Sequence, residues 1–285
     1  MIKLAIPNKG RVNANIVKLL EKMGLDVPEN GRKLYANTSN PNIQLVYARA
    51  ADIPFYVESG VADLGITGED MIRESGMTVE KLFKLNFGSC QIVVAAPKNS
   101  RVKSPSDYSD GIRVVTKLVN TARTYFAKRN IRANIIRLSG ALELAPNIGI
   151  ADVIIDQVST GTTLAANNLQ VVDTIAKSDI CLVANKRSMK EKEEEIDELK
   201  LAVESVITAE QKRYVIANVK SEEELKRVVK VMPCMESPTV LKLAKEGEYA
   251  VQSVVDSKDL ITAIRKLKQA GARDILVMNM SRVVE

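Results

Sequence analysis

The sequence predicts an open α/β fold followed by a smaller ferredoxin-like unit of order βαββαβ. Three observations carry this reading. Short apolar runs of strand length alternate with amphipathic runs of helix length through most of the chain, which is the grammar of an open sheet with crossover helices. Residues 188–213, rich in Lys and Glu, place Ile196, Leu199, Val203 and Ile207 on one face and read as a connecting amphipathic helix. Beyond it the pattern is strand, helix, two strands, helix, strand, the split βαβ arrangement.

In order, IKLAI (2–6) is a short buried strand, and Ile16, Leu19, Leu20 and Met23 recur at helical spacing before Gly24. A strand follows at 43–48, then a helix begun by Asp52 and closed near Gly60, a strand at 62–66 and a helix over 69–74. CQIVVAAP (90–97), IRVVT (112–116), NIIRLS (134–139) and ADVIID (151–156) are strands, with a helix over 120–130 and further strand material over 169–186. After the connecting helix come the strand KRYVIANVK, a helix with Ser221 and Glu224 at capping-box spacing, strands near 238–244 and 248–255, a helix stopped by Gly271, and the strand RDILVMNM.

With 285 residues, 46% apolar and 27% charged, the chain has room for two or three domains and the composition of a globular protein. No apolar stretch reaches the roughly 18 residues of a membrane span, and the start lacks a signal peptide's apolar core, so a cytoplasmic protein is expected. The three cysteines, Cys90, Cys181 and Cys234, lack zinc-site spacing and read as buried free thiols. The chain has no histidine, which removes every Ser–His or Cys–His nucleophile pair. Of the net charge of +6, five units of excess fall within 91–171. Aromatics are only 4%, and no helix-turn-helix pattern carries a basic recognition helix, so a small polyanion suits that basic segment better than nucleic acid.

DQVSTGTT (156–163), directly after a buried strand, is the most informative stretch. Gly161 permits positive φ, a strand-to-helix turn offers unpaired amides, and Ser159, Thr160, Thr162 and Thr163 add hydroxyl donors, so the segment reads as a phosphate-monoester cradle. Asp156 would then face ribose hydroxyls or a metal ion. A Thr-capped turn into a short helix is the plain alternative. PNKGR (7–11) sets Lys9, Gly10 and Arg11 at a helix start, where an anion is favoured; Arg49, in ARAADIP, has the same standing, and each also reads as an ordinary surface turn. Asp70, in GITGED, follows a strand end, where open sheets bind ligands, although Thr67 or Glu69 there equally suits a helix cap. Glu143, the lone acid of 111–151, suits sugar hydroxyls or an exposed helix face.

PNKGR, ARAADIPFYVESGVADLGITGEDM, FGSCQIVVAAP, LSGALELAPNIGIADVIIDQVSTGTTLAANNL and MESPTV, in this order, resemble the ATP phosphoribosyltransferase family, the first enzyme of histidine biosynthesis, in its long form with a C-terminal regulatory domain. The resemblance implies a periplasmic-binding-protein-like pair of lobes: residues 1–88 with 172–208 as one, 89–171 as the other, and 209–285 as the regulatory domain. It implies transfer of a phosphoribosyl group from phosphoribosyl pyrophosphate to N1 of ATP, with no acid–base or nucleophilic residue. The sugar phosphate would be held by Glu143, Asp156, Ser159, Thr160, Gly161, Thr162 and Thr163, and ATP by Lys9, Gly10, Arg11, Arg49 and Asp70. Mg²⁺ would come mostly with the pyrophosphate, Asp156 being its protein ligand. L-Histidine would bind near Asn218, Ser237 and Thr239 as effector, Asn218 standing where the family often carries Asp, and the chain would form a hexamer or dimer. A two-lobed small-molecule binding protein without catalysis is the competing reading.

Overall fold

The computed structural model describes residues 1–28 and 34–284, the side chain of Arg11 excepted. These residues form two compact units, Met1–Glu21 with Leu25–Ile196, and Lys22–Gly24 with Asp197–Glu285.

The first unit runs β1 (Ile2–Pro7), α1 (Arg11–Lys22), β2 (Tyr35–Asn37), β3 (Ile43–Ala48), α2 (Ile53–Glu58), β4 (Leu64–Gly68), α3 (Glu69–Ser75), β5 (Glu80–Lys84), β6 (Cys90–Pro97) and β7 (Arg113–Thr116). It continues with α4 (Val119–Ala127), β8 (Asn134–Arg137), α5 (Leu144–Asn147), β9 (Val153–Val158), α6 (Thr162–Ala166), β10 (Leu169–Ser178), β11 (Ile180–Ala184) and α7 (Ser188–Glu191), and α8 (Glu193–Gln211) leads into the second unit. Two sheets result, ordered β2-β3-β1-β4-β11-β5 and β10-β6-β9-β7-β8. Each is the heart of one lobe.

In the first sheet β1, β3 and β4 are parallel and buried on both faces, which explains why their sequences are continuous apolar runs rather than alternating ones. Gly65 in β4 is glycine for steric reasons: a Cβ there would stand 2.7 Å from both Ile53 Cγ2 and Val57 Cγ2, so α2 packs directly on the strand backbone. In the second sheet β7, β8 and β9 are parallel, while β6 and β10 run antiparallel. Its core joins Ile92, Val94, Val114 and Val153 to Tyr125 and Phe126 of α4.

The chain returns to the first sheet later than the expected residue 172. β10 stays paired with β6 as far as Ser178 opposite Cys90, and only Ile180, opposite Gly68, begins the first-sheet strand β11. The run 169–186 therefore divides at Asp179. Two strands escaped the sequence reading: β2 is only three residues, and EKLFK of β5 mixes charge into a short edge segment.

The second unit continues with β12 (Lys212–Val219), α9 (Glu222–Val231), β13 (Thr239–Lys242), β14 (Tyr249–Asp256), α10 (Leu260–Ala270) and β15 (Arg273–Met278), in sheet order β13-β14-β12-β15. This is the expected ferredoxin-like βαββαβ order. Val215, Ala217, Val219, Val251 and Val255 meet Val228, Ala263 and Leu267 beneath the two helices. Ser221 Oγ accepts from Glu224 N (3.2 Å), but the Glu224 carboxylate accepts from Lys220 N (2.8 Å), one residue before the position a capping box requires. Gly271, at φ +105°, ends α10. No helix among the described residues is long and apolar enough to cross a membrane.

Candidate active site

Parallel strands deliver their following loops to one edge, and ligands of open sheets bind there. In the first lobe, the loops after β1, β3 and β4 are stitched together. Asn8 N donates to Ala48 O (2.8 Å), and Thr67 Oγ1 donates to Ala50 O (3.0 Å). Lys9 and Arg49 are exposed on these loops, and Gly10 takes φ +94° with no heavy atom within 4 Å of a notional Cβ. These three therefore share one edge and face solvent. The side chain of Arg11 lies outside the described residues.

Asp70 departs from the open position expected for it. It is 3% exposed; Ser178 Oγ donates to its Oδ1 (2.7 Å) and Gln157 Nε2 donates to its Oδ2, while its own backbone N–H donates to Ser178 Oγ (3.0 Å). A carboxylate so occupied is not presented to a ligand in the cleft. Neither proposed helix cap is seen: Gly68 holds the N-cap of α3, with no side-chain bond.

In the second lobe all seven residues expected to hold the sugar phosphate, Glu143, Asp156, Ser159, Thr160, Gly161, Thr162 and Thr163, line one cavity of about 180 Å³, with Gln157, Val158 and Leu164. Gly161 has φ +77°, which lets β9 turn into α6 without strain. Thr160 Oγ1 and Thr162 Oγ1 are 3.0 Å apart across the bend. Among the described residues, no backbone carbonyl of the turns or loops accepts from the amides of Thr160, Gly161 or Thr162. Residues bearing hydroxyls and unpaired amides thus line one concave surface.

Asp156 Oδ1 is buried and has no hydrogen-bond partner among the described residues. Lys117 Nζ, from the loop after β7, lies 3.1 Å away as an ion-pair partner but outside hydrogen-bonding geometry. Sequence reasoning missed Lys117. Its one signal was its position directly after a strand parallel to β9. A buried polar atom without a partner is costly, and such atoms mark places where another group completes the bonding.

Residues 49–205 match the family model described as ATP phosphoribosyltransferase. The chain belongs to the ATP phosphoribosyltransferase family. Residues 209–282 match a second model, the HisG C-terminal domain. Family members named ATP phosphoribosyltransferase from Methanocaldococcus jannaschii and Methanosarcina mazei are 44% and 43% identical, each aligned over the full length of both chains. A solved ATP phosphoribosyl transferase (HisG:HisZ) complex from Thermotoga maritima is similar at TM-score 0.64 and 32% identity, covering 71% of this chain and 96% of that one.

Neither Cys90 nor Cys181 offers an activated thiol. Burial first, and then the charge of Asp70, pushes the Cys90 thiol up to about 11, so it stays protonated at neutral pH. Burial does the same to Cys181, whereas Cys234 is exposed rather than buried as expected. Among the described residues no three His, Cys, Asp or Glu side chains cluster as a metal site.

In the second unit Asn218 lies on β12 opposite Ala250, Thr239 lies on β13 opposite Gln252, and Ser237 is on the exposed approach to β13. Strand β14 separates the first two. The register sets them on the same face of the sheet but not in contact.

Proposed function

We propose that this chain joins the phosphoribosyl group of phosphoribosyl pyrophosphate to N1 of ATP, releasing pyrophosphate, the first step of histidine biosynthesis. The observation that carries the proposal is the turn 156–163, whose carboxylate- and hydroxyl-bearing residues all line one small cavity. Its phosphate-sized hydroxyl face suits the 5′-phosphate, and Asp156 with Glu143 suits the ribose hydroxyls. Lys9, Gly10 and Arg49, on the loop edge of the other lobe, suit the triphosphate of ATP; Asp70 is left out of direct contact because its oxygens are already taken.

The adenine N1 carries a free lone pair at neutral pH, so no residue has to remove a proton before attack, and the absence of histidine is no obstacle. The lone pair forms the N1–C1′ bond as the C1′–O bond to pyrophosphate breaks and its electron pair leaves with pyrophosphate. The resulting positive charge on the adenine is relieved by loss of an exocyclic amino proton to solvent. The protein's part is alignment of the two substrates and fixed charge: Asp156 beside the ribose as the anomeric carbon turns cationic, Lys117 and the turn amides beside phosphate oxygens. Magnesium fits the donor set as an ion carried with the pyrophosphate: a hard cation takes oxygen ligands, Asp156 Oδ1, which makes no hydrogen bond and has the Lys117 ammonium beside it, is the protein atom that would hold it, and it would supply positive charge at the leaving group.

For the second unit the proposal is feedback inhibition by L-histidine near Asn218, Ser237 and Thr239. Asn218 brings no counter-charge for the ligand's amino group, so weak inhibition is expected. A homo-oligomer, hexamer or dimer, is supported by the uncovered edges β13 and β15, where Val240, Leu241, Leu276 and Met278 are exposed. The neighbour from Thermotoga maritima is a complex of two kinds of chain; the present chain carries its own C-terminal unit. The protein so described works in the cytoplasm.

Mixing the protein with ATP, phosphoribosyl pyrophosphate, Mg²⁺ and pyrophosphatase should produce a new near-ultraviolet adduct absorbance, reduced by millimolar L-histidine. No absorbance change would leave a two-lobed binding protein as the better account. Adduct formation that histidine neither slows nor accompanies with a shift in melting would remove the regulatory half alone.

A further inference from the structure

Helix α3 follows a strand of the first sheet and touches both lobes: Ile72 packs on the first lobe's core, while other side chains of the helix reach the second. Asp70, in its first turn, holds Ser178 of β10 and Gln157 of β9. Met71 packs against the second lobe's core. Glu74, one turn after Asp70, accepts through its carboxylate from Asn120 N (2.9 Å), Thr121 N (2.9 Å) and Thr121 Oγ1 (3.0 Å). It therefore caps α4, whose own N-cap residue, Leu118, has no side chain able to do so. The local backbone is built around Asp70 in particular. Gly68 has an ordinary φ of −82°, but a Cβ there would stand 2.1 Å from Asp70 Oδ1, so only glycine leaves the carboxylate its place.

Gln157 is the link that gives this brace a consequence for the reaction. It sits between Asp156 and the hydroxyl turn and lines their cavity, while its amide reaches away to Asp70. We infer that Asp70 is a positioning residue: through Gln157 it fixes the end of β9, and with it Asp156 and the turn 159–163, relative to the nucleotide loops of the other lobe. The inference rests on the reading of that turn as the sugar-phosphate seat. It assigns Asp70 to the sugar-phosphate half of the site by linkage, although the residue belongs in sequence to the nucleotide half.

The test compares the full-length chain with Asp70→Ala, Gln157→Met, Asp70→Ala combined with Gln157→Met, and Asp70→Asn, measuring calorimetric affinity for ribose 5-phosphate and for ATP. Loss of the Gln157 bond to the Asp70 carboxylate, common to the first two variants, predicts about tenfold weaker ribose 5-phosphate binding in each, with ATP affinity unchanged. The double variant should be no worse than either single one, because Asp70 acts through Gln157. Asp70→Asn should bind nearly as the original chain does, since its oxygen still accepts from Ser178 and its amide can donate to a turned Gln157 side chain. If Asp70→Ala does not fold, Gln157→Met decides alone. Additive losses, equal losses for both ligands, or unchanged ribose 5-phosphate affinity in Gln157→Met would overturn the inference while adduct formation by the original chain keeps the transferase reading intact. An original chain that forms no adduct and does not bind ribose 5-phosphate would end both.

Discussion

The Asp156→Asn protein should lose about two to three orders of magnitude in kcat/KM for phosphoribosyl pyrophosphate and bind ATP as tightly as before. The physical reason is that the anomeric carbon gains positive charge as pyrophosphate departs, and a fixed carboxylate stabilises that state more than it stabilises the bound substrate. An amide offers only a dipole. Substitution also replaces the carboxylate of the Lys117 ion pair, 3.1 Å away, with a neutral amide, so the loop after β7 loses its anchor to the cavity. Folding should survive with a modest loss of stability, because the contact given up is one partly exposed ion pair and Oδ1 makes no hydrogen bond. Initial rates at saturating ATP, equilibrium ATP binding and a melting curve check the three parts. A matching loss of ATP affinity would show general damage to the lobe rather than loss of a charge at the ribose.

The largest effect on stability is expected at Asp63, far from that cavity. Its carboxylate is almost fully buried and accepts from Lys3 N (2.8 Å), Ser188 Oγ (2.7 Å) and Lys192 Nζ (2.8 Å to each oxygen). It thereby ties β1 and the start of β4 to the chain that leaves β11. Asp63→Ala leaves the partly exposed Lys192 ammonium with Met1 O (3.1 Å) and water, and strands two further donors, at a cost of about 3 kcal/mol, the lower end of the range for breaking buried pairs. Urea denaturation of the two proteins measures it.

The same carboxyl sets an acid limit. Burial alone would raise its pKa, but the hydrogen bonds from Lys192, the Lys3 amide and Ser188, with the charge of Lys192, outweigh burial and hold it below the usual carboxylate value. A group depressed on folding stabilises the folded state fully above its unfolded pKa, about 3.9 for Asp. That contribution is lost as pH falls through the folded value. The urea midpoint of the original chain should therefore hold steady from pH 7 to 5 and drop below about pH 4. The Asp63→Ala protein should show a shallower drop. Equal acid sensitivity would mean that Asp63 is not a principal source of it.

Local chemistry explains what could be read in advance. The turn at Gly161 was legible because a positive φ, flanking hydroxyls and a preceding apolar strand are all properties of adjacent residues. The βαββαβ order of the second unit was legible for the same reason, each element having its own period and stop signal. β2 and β5 were not, since a three-residue strand and a charged edge strand have no periodicity of their own and exist only because β3 and β11 offer them partners. The return of the chain at Asp179 was misjudged by several residues because nothing within 169–186 says which sheet each half joins; the pairing of Ser178 with Cys90 and of Ile180 with Gly68 does.

By itself, the sequence determined that one turn leaving a buried strand is crowded with small donors, that no histidine is available to activate a nucleophile, and that a separate ferredoxin-like unit follows a long amphipathic helix. Only the tertiary structure decided that Lys117 faces Asp156 and that Asp70 is buried against Ser178 and Gln157 rather than open to a nucleotide. The reason is distance along the chain: Asp70 and Ser178 are 108 residues apart. Whether a carboxylate meets a ligand, an ammonium or a hydroxyl depends on which strands lie side by side, and no local pattern of residues encodes that neighbour.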